Sequence, residues 1–343
     1  MQPNYEAWNI DVNAFPRGGT LTDQLRFLIG FAVLAPSSHN SQPWKFKVAG
    51  DHIQLCSDLT RALPKSDTNH RQLYISLGCA LENLLTAADY YGFSPSVQLL
   101  PDGEEGSVAA RLEFSNARRE ADQSHEHLVF AILKRYVNRG KYRDQMPDGK
   151  FLDWMRSLGS EEMRIDIINE PAARAQIADI TLRAGIAAMD DPGFREEISQ
   201  YVVSNISGKH TGIPGFTLGL PTPVSLIAPF LLKHFNMNRV NQKQDEALLE
   251  HFTPAFVVMS ASKDDRETWI KTGQLFERIM LEAVKYGLSI SPMAAAIQIG
   301  NFYKELQKVL GRQERPQVFN RLGYCDDQVR HSPRLRSTDV IAQ

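Results

Sequence analysis

The chain passes from helix to strand at Ala35-Pro36-Ser37-Ser38-His39-Asn40-Ser41-Gln42-Pro43-Trp44-Lys45-Phe46. An apolar run with helical spacing precedes this stretch, here called the 35–46 turn, and an alternating, strand-like run follows it. Pro36 ends the helix, and Pro43 favours an extended Gln42, because proline disfavours helical backbone at the preceding residue. The turn therefore presents hydroxyls, an imidazole and amides, a set that suits hydrogen bonding to a flat polar ligand. A purely local explanation stays open, since serine and asparagine favour turns for their own hydrogen bonds.

Length and composition set the class of protein. The 343 residues, of which 43% are hydrophobic, suffice for one large or two smaller globular domains. The formal net charge of −2 gives no overall attraction to nucleic acid or to an anionic membrane. The three cysteines are widely spaced and form no C-x-x-C pair, so neither a zinc site nor a disulfide framework is expected. No secretory leader or membrane-spanning apolar run is evident, and a cytoplasmic protein is expected.

Hydrophobic periodicity predicts an α+β protein. A helix begins after Thr20, with Asp23 completing a capping box, and a hairpin around Ala49-Gly50-Asp51 follows the turn. Two long helices are predicted over Leu73–Tyr91 and Trp269–Tyr286, and each stops at a glycine. The other predicted elements are helical stretches within 172–189, 193–204, 224–250 and 302–310, and strands over 96–100, 108–114, 256–260 and 317–324.

The two long helices belong to an internal repeat. Gly78–Ser94 aligns without gaps on Gly273–Ser289, at an offset of 195 residues. The identical pairs are Gly78/Gly273, Glu82/Glu277, Ala88/Ala283, Tyr91/Tyr286, Gly92/Gly287 and Ser94/Ser289. The repeat predicts two copies of one unit, each an antiparallel central sheet flanked by helices, which together form an intramolecular pseudo-dimer. We place the halves at residues 1–120 and 121–343.

Basic residues form two further clusters. Five bases crowd Lys134–Arg143, where Arg135 and Arg139 share one face of a helix end and repel each other unless an anion lies between them. This segment can be interpreted as a phosphate clamp, as a solvated basic face or as a nucleic-acid contact, although the near-neutral net charge argues against the last. Arg334 and Arg336 form a smaller pair near the C-terminus, which a solvated tail would also explain.

Together these motifs resemble the nitroreductase superfamily of FMN enzymes. The 35–46 turn is similar to that family's A-P-S-x-x-N-x-Q-P-W-x-F motif, the Arg135–Arg139 segment to its R-x-S-x-[RK] element, and Arg334-Leu335-Arg336 to its C-terminal [KR]-x-R. The segment Gly287–Ala295 is similar to its G-L-x-x-x-P-x-x-G loop. Three residues depart from the usual pattern, namely Val137 for Ser or Thr, Ala294 for a frequent Glu, and Ala295 for Gly.

The distribution of the motifs resembles the fused, single-chain, Acg-type branch of that superfamily. The first half has the turn but no arginine element before it, and the second half has the arginine element but no second turn. The resemblance implies a nitroreductase-like fold with one complete FMN site per chain, at the junction of the halves. It also implies two-electron reduction of nitro or quinone acceptors by NAD(P)H through flavin N5.

The resemblance also implies roles for individual residues. Arg139 would stabilise the reduced flavin, Arg135, Arg334 and Arg336 would hold the phosphate, and no side chain would need to act as an acid or base. No metal is implied. The cofactor-binding residues expected from the motifs are Pro36, Ser37, Ser38, Asn40, Gln42, Arg135, Tyr136, Arg139, Pro292, Met293, Ala294, Ala295, Arg334 and Arg336.

Two rival functions stay open at the level of sequence, one of which is the nucleic-acid contact of Lys134–Arg143, with no flavin bound. The chain could bind FMN with little turnover, as a sequestering or sensing protein, which the absence of Glu at position 294 would favour. Residues 207–244 combine Gly/Pro hinges with apolar side chains, and we hypothesise that they form a lid over the flavin. The expected partner is a small-molecule acceptor rather than nucleic acid or membrane. The internal pseudo-dimer predicts a monomer, with a further homodimer left open.

Overall fold

Two antiparallel sheets organise the chain in a computed structural model that describes residues 3–115, 117, 119, 125–327 and 329–342. The first sheet has the order β1-β2-β4-β3, with strands Trp44–Ala49 (β1), His52–Ser57 (β2), Ser96–Leu99 (β3) and Val108–Glu113 (β4). The second has the order β5-β8-β10-β9, with strands Met163–Ile168 (β5), Ala255–Ala261 (β8), Ser289–Pro292 (β9) and Arg315–Gly323 (β10). A short parallel pair joins Val202–Val203 (β6) to Ile213–Pro214 (β7).

The helices flank these sheets. Those that precede β8 in the chain are Leu21–Ala32 (α1), Arg71–Tyr90 (α2), Glu126–Lys134 (α3), Gly149–Ser157 (α4), Pro171–Asp190 (α5), Pro192–Tyr201 (α6), Thr222–His234 (α7), Met237–Val240 (α8) and Gln242–His251 (α9). The remaining ones are Arg266–Lys285 (α10), Ala295–Gln298 (α11), Phe302–Leu310 (α12) and Ser337–Val340 (α13). The predicted capping box at Thr20 and Asp23 opens α1.

Across the part of the chain that the structure describes, no helix combines the length and the apolar character that crossing a membrane requires.

The same topology occurs twice, which confirms the predicted duplication. In each half, two strands are followed by a long helix and then by two more strands: α2 lies between β2 and β3, and α10 lies between β8 and β9. Both sheets place the fourth strand of the unit between the second and the third. Similar sequence repeats at α2 and α10 therefore correspond to equivalent structural positions.

The two repeat helices cross at their shared glycines. A Cβ atom on either Gly78 or Gly273 would lie 2.9 Å from the Cα atom of the other, and closer still to a carbonyl oxygen of the facing helix. Two backbones can approach this closely because neither glycine carries a side chain. The α2–α10 crossing thus joins the halves through a large shared apolar core that draws on both sheets.

The C-terminal residues return to the first half. Ala342 N donates to Phe46 O over 2.7 Å, and Ile341 forms a parallel bridge with Phe46 on β1. This return path brings residues 332–336 beside the 35–46 turn.

Two expectations differ from the structure, and a third is not tested by it. The strands β5 and β9 were missed, because β9 is four residues long and ends in a proline, and β5 carries charged residues that form ion pairs on its surface (Arg164 with Glu314 and Asp166 with Arg312). The expectation of an extended Gln42 is wrong: its φ is 54°, in the left-handed region. The boundary between residues 120 and 121 lies outside the described residues and stays a prediction.

The helix crossing yields the first prediction. Replacing Gly78 with alanine should destabilise the fold by at least about 1–3 kcal/mol, because the new methyl group would overlap the α10 backbone and overpack the interface. Chemical denaturation of the purified variant measures this change. Gly149→Ala is the matched control, since a Cβ there meets nothing within 4 Å. Equal stabilities for the two variants would contradict the account of the crossing.

Candidate functional site

The 35–46 turn has an unusual backbone. His39, Asn40 and Gln42 have φ values of 53°, 53° and 54°, in a region that residues with side chains occupy rarely and at a cost of about 1–3 kcal/mol each. Within the turn, the Ser37 Oγ accepts from the backbone N of Gln42 over 2.9 Å. A conformation this unfavourable persists only where neighbouring segments hold it.

Two buried amide side chains supply that restraint. Asn40 Nδ2 donates to Gly212 O over 3.0 Å and to Pro333 O over 2.9 Å. Gln42 Nε2 donates to His210 O over 2.7 Å, and its Oε1 accepts from Leu335 N over 2.8 Å. The two amides thereby join the turn to residues 210–212 and to the C-terminal return. These tertiary bonds explain why Gln42 departs from the conformation that Pro43 favours locally.

Two buried arginines meet behind the turn. Arg135 Nη2 donates to Leu34 O over 2.9 Å, and Arg334 Nη2 donates to the same oxygen over 3.3 Å. Arg334 Nη1 also donates to Asn40 Oδ1 over 2.7 Å. Burial together with the charge of Arg135 lowers the pKa of Arg334 to about 9. The Leu34 carbonyl, just after α1, therefore accepts hydrogen bonds from two positively charged side chains that lie far apart in the sequence.

The cavity between these segments opens to solvent, and the space in and around it that no protein atom fills is about 550 Å³. Four arginines line it, and no aspartate or glutamate is found among its described lining residues. The lining consists of Trp8, Pro36, Ser37, His39, Asn40, Arg135, Tyr136, Val137, Arg139, Ile213, Arg330, His331, Ser332 and Arg334. The cavity is therefore an electropositive space at the junction of the two halves.

Half of the residues expected from the motifs converge on this cavity. Pro36, Ser37, Asn40, Arg135, Tyr136, Arg139 and Arg334 all line it. Arg135 and Tyr136 also line a neighbouring cavity, whose far wall is Gly287–Ile290, the start of the predicted loop. The turn, the arginine element and part of the loop are thus brought together.

Other expected residues lie elsewhere. Gln42 is fully buried in the contacts described above, and the Ser38 Oγ faces Gln72 Oε1 at 3.5 Å. Pro292 pairs with Asn320 at the end of β9, and Met293–Ala295 line a separate cavity beside α5 and α9. Arg336 is exposed and pairs with Asp339 at 2.9 Å. The roles of these residues toward a cofactor stay predictions.

Sequence reasoning missed one wall of the cavity. Trp8, in the N-terminal arm, stacks on His331 with ring centroids 3.9 Å apart and donates through Nε1 to Ser332 O over 2.9 Å. Burial lowers the pKa of His331 to about 4, so the ring is neutral near pH 7. Arg330 adds a further charge and lies over the Phe216 ring at 4.4 Å. A tryptophan in the N-terminal arm was the available signal.

His39 makes a structural hydrogen bond. Its Nε2 lies 3.1 Å from Ser66 Oγ, and Ser66 in turn contacts the Glu197 carboxylate. Burial lowers the pKa of His39 to about 4. A neutral imidazole at the cavity wall leaves the site's positive charge to the arginines.

Comparisons with known proteins identify relatives of nearly the whole chain. A Mycobacterium tuberculosis protein provisionally named NAD(P)H nitroreductase Rv3131 is 23% identical over 323 residues, which cover 93% of this chain and 91% of that protein. The provisionally named NAD(P)H nitroreductase acg of the same organism is 23% identical, covering 89% and 90%. A Serratia protein provisionally named NAD(P)H nitroreductase PigM is 24% identical, covering 89% of each. No family model matches the chain.

Solved structures give a similar comparison. The FMN-dependent nitroreductase NfnB of Mycobacterium smegmatis, in complex with NADPH, aligns with a TM-score of 0.43 at 15% identity and covers 64% of this chain and 99% of that one. A nitroreductase with bound FMN from Desulfitobacterium hafniense aligns with a TM-score of 0.41 at 14% identity, covering 63% and 97%. The full-length relatives confirm the resemblance to the nitroreductase superfamily and its Acg-type branch.

The contacts of Asn40 yield the second prediction. Asn40→Ala should lower the free energy of unfolding by about 1–3 kcal/mol, because Arg334 and two carbonyl oxygens lose a buried partner. Urea denaturation measures the change. Asn301→Ala, at an exposed helix start where the side chain makes no capping bond, should be close to neutral. If both variants unfold at the same urea concentration, the turn does not depend on these bonds.

Proposed function

We propose that this relative of the NAD(P)H nitroreductases is an FMN-dependent oxidoreductase that binds one FMN per chain between its two halves. The observation that carries the proposal is the cavity lined by four arginines and the 35–46 turn, without a described carboxylate in its wall. A phosphorylated ligand with a flat polar ring fits both parts, since arginine binds phosphate through charge-assisted bonds and the turn offers small polar groups.

The hydrogen-bond donors of the cavity suit an anionic cofactor. The Nε atoms of Arg135 and Arg334 are buried and lack a hydrogen-bond partner among the described residues. A buried charged group whose donors are not all hydrogen-bonded is costly, so an anion in the cavity would relieve a penalty that the Glu277 carboxylate, 3.1 Å from Arg135 Nε, offsets only in part. Neither histidine of the wall carries charge near pH 7, which leaves the arginines as the groups that attract the phosphate.

The residues divide into three proposed roles. Arg135 and Arg334 would bind the phosphate, and Arg139, whose side chain is exposed in the cavity wall, would face the pyrimidine edge of the flavin and stabilise the negative charge of its reduced form. Pro36, Ser37 and Asn40 would fix the ribityl chain and ring from the other half. When bound, FMN supplies the two-electron chemistry between NAD(P)H and a nitro or quinone acceptor.

One observation supports the alternative of a flavin-binding protein with little turnover. Residues 207–213 are held next to the cavity: Asn4 Nδ2 donates to Ser207 O and Lys209 O, each over 3.0 Å, and Ile213 belongs to the cavity wall. We propose that this part of the 207–244 segment acts as the hypothesised lid. If the lid opens rarely, a bound flavin would be shielded from NAD(P)H and acceptors.

Anaerobic reduction tests the proposal and its alternative. The protein purified without added flavin should be yellow, or become yellow on reconstitution with FMN, and should bleach on addition of NADPH or NADH. Visible absorbance measures both steps. A yellow protein that stays yellow would favour the alternative. A colourless protein that does not take up FMN would contradict flavin binding altogether.

The contrast between Arg334 and Arg336 gives a further prediction. Arg334→Met should weaken FMN binding roughly 10–100-fold, because a charge-assisted hydrogen bond contributes about 1.5–3 kcal/mol. Arg336→Met should change the affinity by no more than about fivefold, since Arg336 is exposed and its pair with Asp339 is of the weak surface kind. Flavin fluorescence titration measures both dissociation constants.

Riboflavin, which lacks the phosphate, separates a binding role of Arg334 from a structural one. Its affinity should fall far less than that of FMN in Arg334→Met. Equal losses for FMN and riboflavin, or a larger loss of FMN affinity in Arg336→Met, would contradict the assignment.

A further inference from the structure

A buried carboxylate lies beneath the arginine cavity. Glu277, on α10, is fully buried, and its Oε1 lies 3.1 Å from Arg135 Nε, although that N–H does not point at the oxygen. The Asn83 amide satisfies its neighbours when its nitrogen donates to Glu277 Oε1 over 3.0 Å and its oxygen accepts from Ala35 N over 3.3 Å. Glu277 Oε2 has no hydrogen-bond partner among the described residues. Glu277 thus contacts the phosphate-side arginine and, through Asn83, the start of the 35–46 turn.

The internal repeat supplies a natural comparison. Glu82 occupies the equivalent position on α2 and pairs with Arg278 Nε at 2.5 Å. Arg278 is 33% exposed, whereas Arg135 is 3% exposed, so solvent reaches the Glu82 pair and not the Glu277 pair. Arg278 is also absent from the described lining of the arginine cavity. The duplication has therefore placed one glutamate beneath the candidate site and its counterpart away from it.

We propose that Glu277 is a positioning residue that holds Arg135 toward the cavity and takes up a proton when the anionic group of the ligand binds there. The inference rests on the proposed function for the identity of that anion, the phosphate of FMN. Two negative charges on opposite sides of one guanidinium compete for it, and protonating the carboxylate removes the competition. The ligand is then the one negatively charged group of the pair that Arg135 attracts.

The charged groups around Glu277 determine the pH range in which it takes up this proton. Arg135, Glu82 and Arg334 are the charged groups that face it from the neighbouring elements, and burial outweighs their effects and raises the pKa of Glu277 to about 7. Cys79 also faces it from α2, and burial raises the pKa of that thiol, so it stays neutral through pH 8. His331 and His39 titrate near pH 4, and Arg334 near pH 9. Between pH 6 and 8, Glu277 is the described group of this set that changes charge.

The sign of the linkage follows from that raised pKa. An anion in the cavity opposes the charge of Glu277 and raises its pKa further, so binding takes up a proton wherever free Glu277 is partly ionised. Anion affinity should be constant below about pH 6.5 and should fall as the pH rises through 7. The fall cannot exceed about tenfold per pH unit, the limit for one linked proton.

Sulfate is a suitable probe, because its charge is constant over this range. We expect the dissociation constant of sulfate, obtained from the rise of Tm with sulfate concentration, to increase roughly three- to tenfold between pH 6.5 and pH 8. Glu277→Gln should abolish the increase and bind sulfate at pH 8 about as tightly as the wild-type protein does at pH 6.5. Glu82→Gln, the matched control, should keep the wild-type dependence.

A slope that persists in Glu277→Gln, or a wild-type protein without a slope, would overturn the inference. If Glu277→Gln does not fold, calorimetry of the wild-type protein at pH 7.5 in two buffers of different ionisation enthalpy decides: FMN should bind with net proton uptake and riboflavin without it. Equal proton uptake for both ligands would likewise overturn the inference. Sulfate binding without FMN binding would contradict the proposed flavin function and leave the proton linkage of Glu277 standing. FMN binding without the pH dependence would contradict the proton linkage and leave the flavin function standing.

Discussion

The contact on which the structure depends is the crossing of α2 and α10 at Gly78 and Gly273. Close approach of the two backbones brings both sheets onto one core and fixes the first half against the second. That arrangement sets the 35–46 turn, from the first half, opposite the arginine element, from the second. The C-terminal return then adds Arg334 to the same place. A cavity assembled from both halves follows from one helix contact that only residues without a Cβ atom permit.

The site concentrates buried positive charge and matches it only in part. Arg135 and Arg334 are almost fully buried and share the Leu34 carbonyl, and Glu277 is the carboxylate in contact with one of them. Buried charges are costly to desolvate, and incomplete pairing leaves that cost unrecovered in the protein alone. An anionic ligand would complete the pairing. The strained turn fits the same picture, because unfavourable φ values are kept where a binding surface requires them.

The sequence predicts the repeated architecture and the core of the site because both depend on local patterns. Helical periodicity and glycine stops marked α2 and α10, and a continuous motif marked the turn. The distant partners were harder to predict. The contacts of Asn40 with Gly212 and Pro333 join segments far apart in the chain, and no local spacing encodes them. The same reason applies to Trp8, which reaches His331 across nearly the whole sequence. Arg336 was grouped with Arg334 because the two match one short motif. The C-terminal return places their side chains in different surroundings, with Arg334 against Asn40 and Arg336 beside Asp339.

Counting flavin sites tests the central claim most directly. Flavin-free protein is titrated with FMN, and the quenching of flavin fluorescence is followed to saturation at a protein concentration well above the dissociation constant. Our account predicts saturation at one FMN per chain, because one junction cavity combines the turn with the arginine cluster. Two equivalent sites per chain would mean that both halves build a complete site. The absence of saturable binding would mean that the cavity serves another ligand.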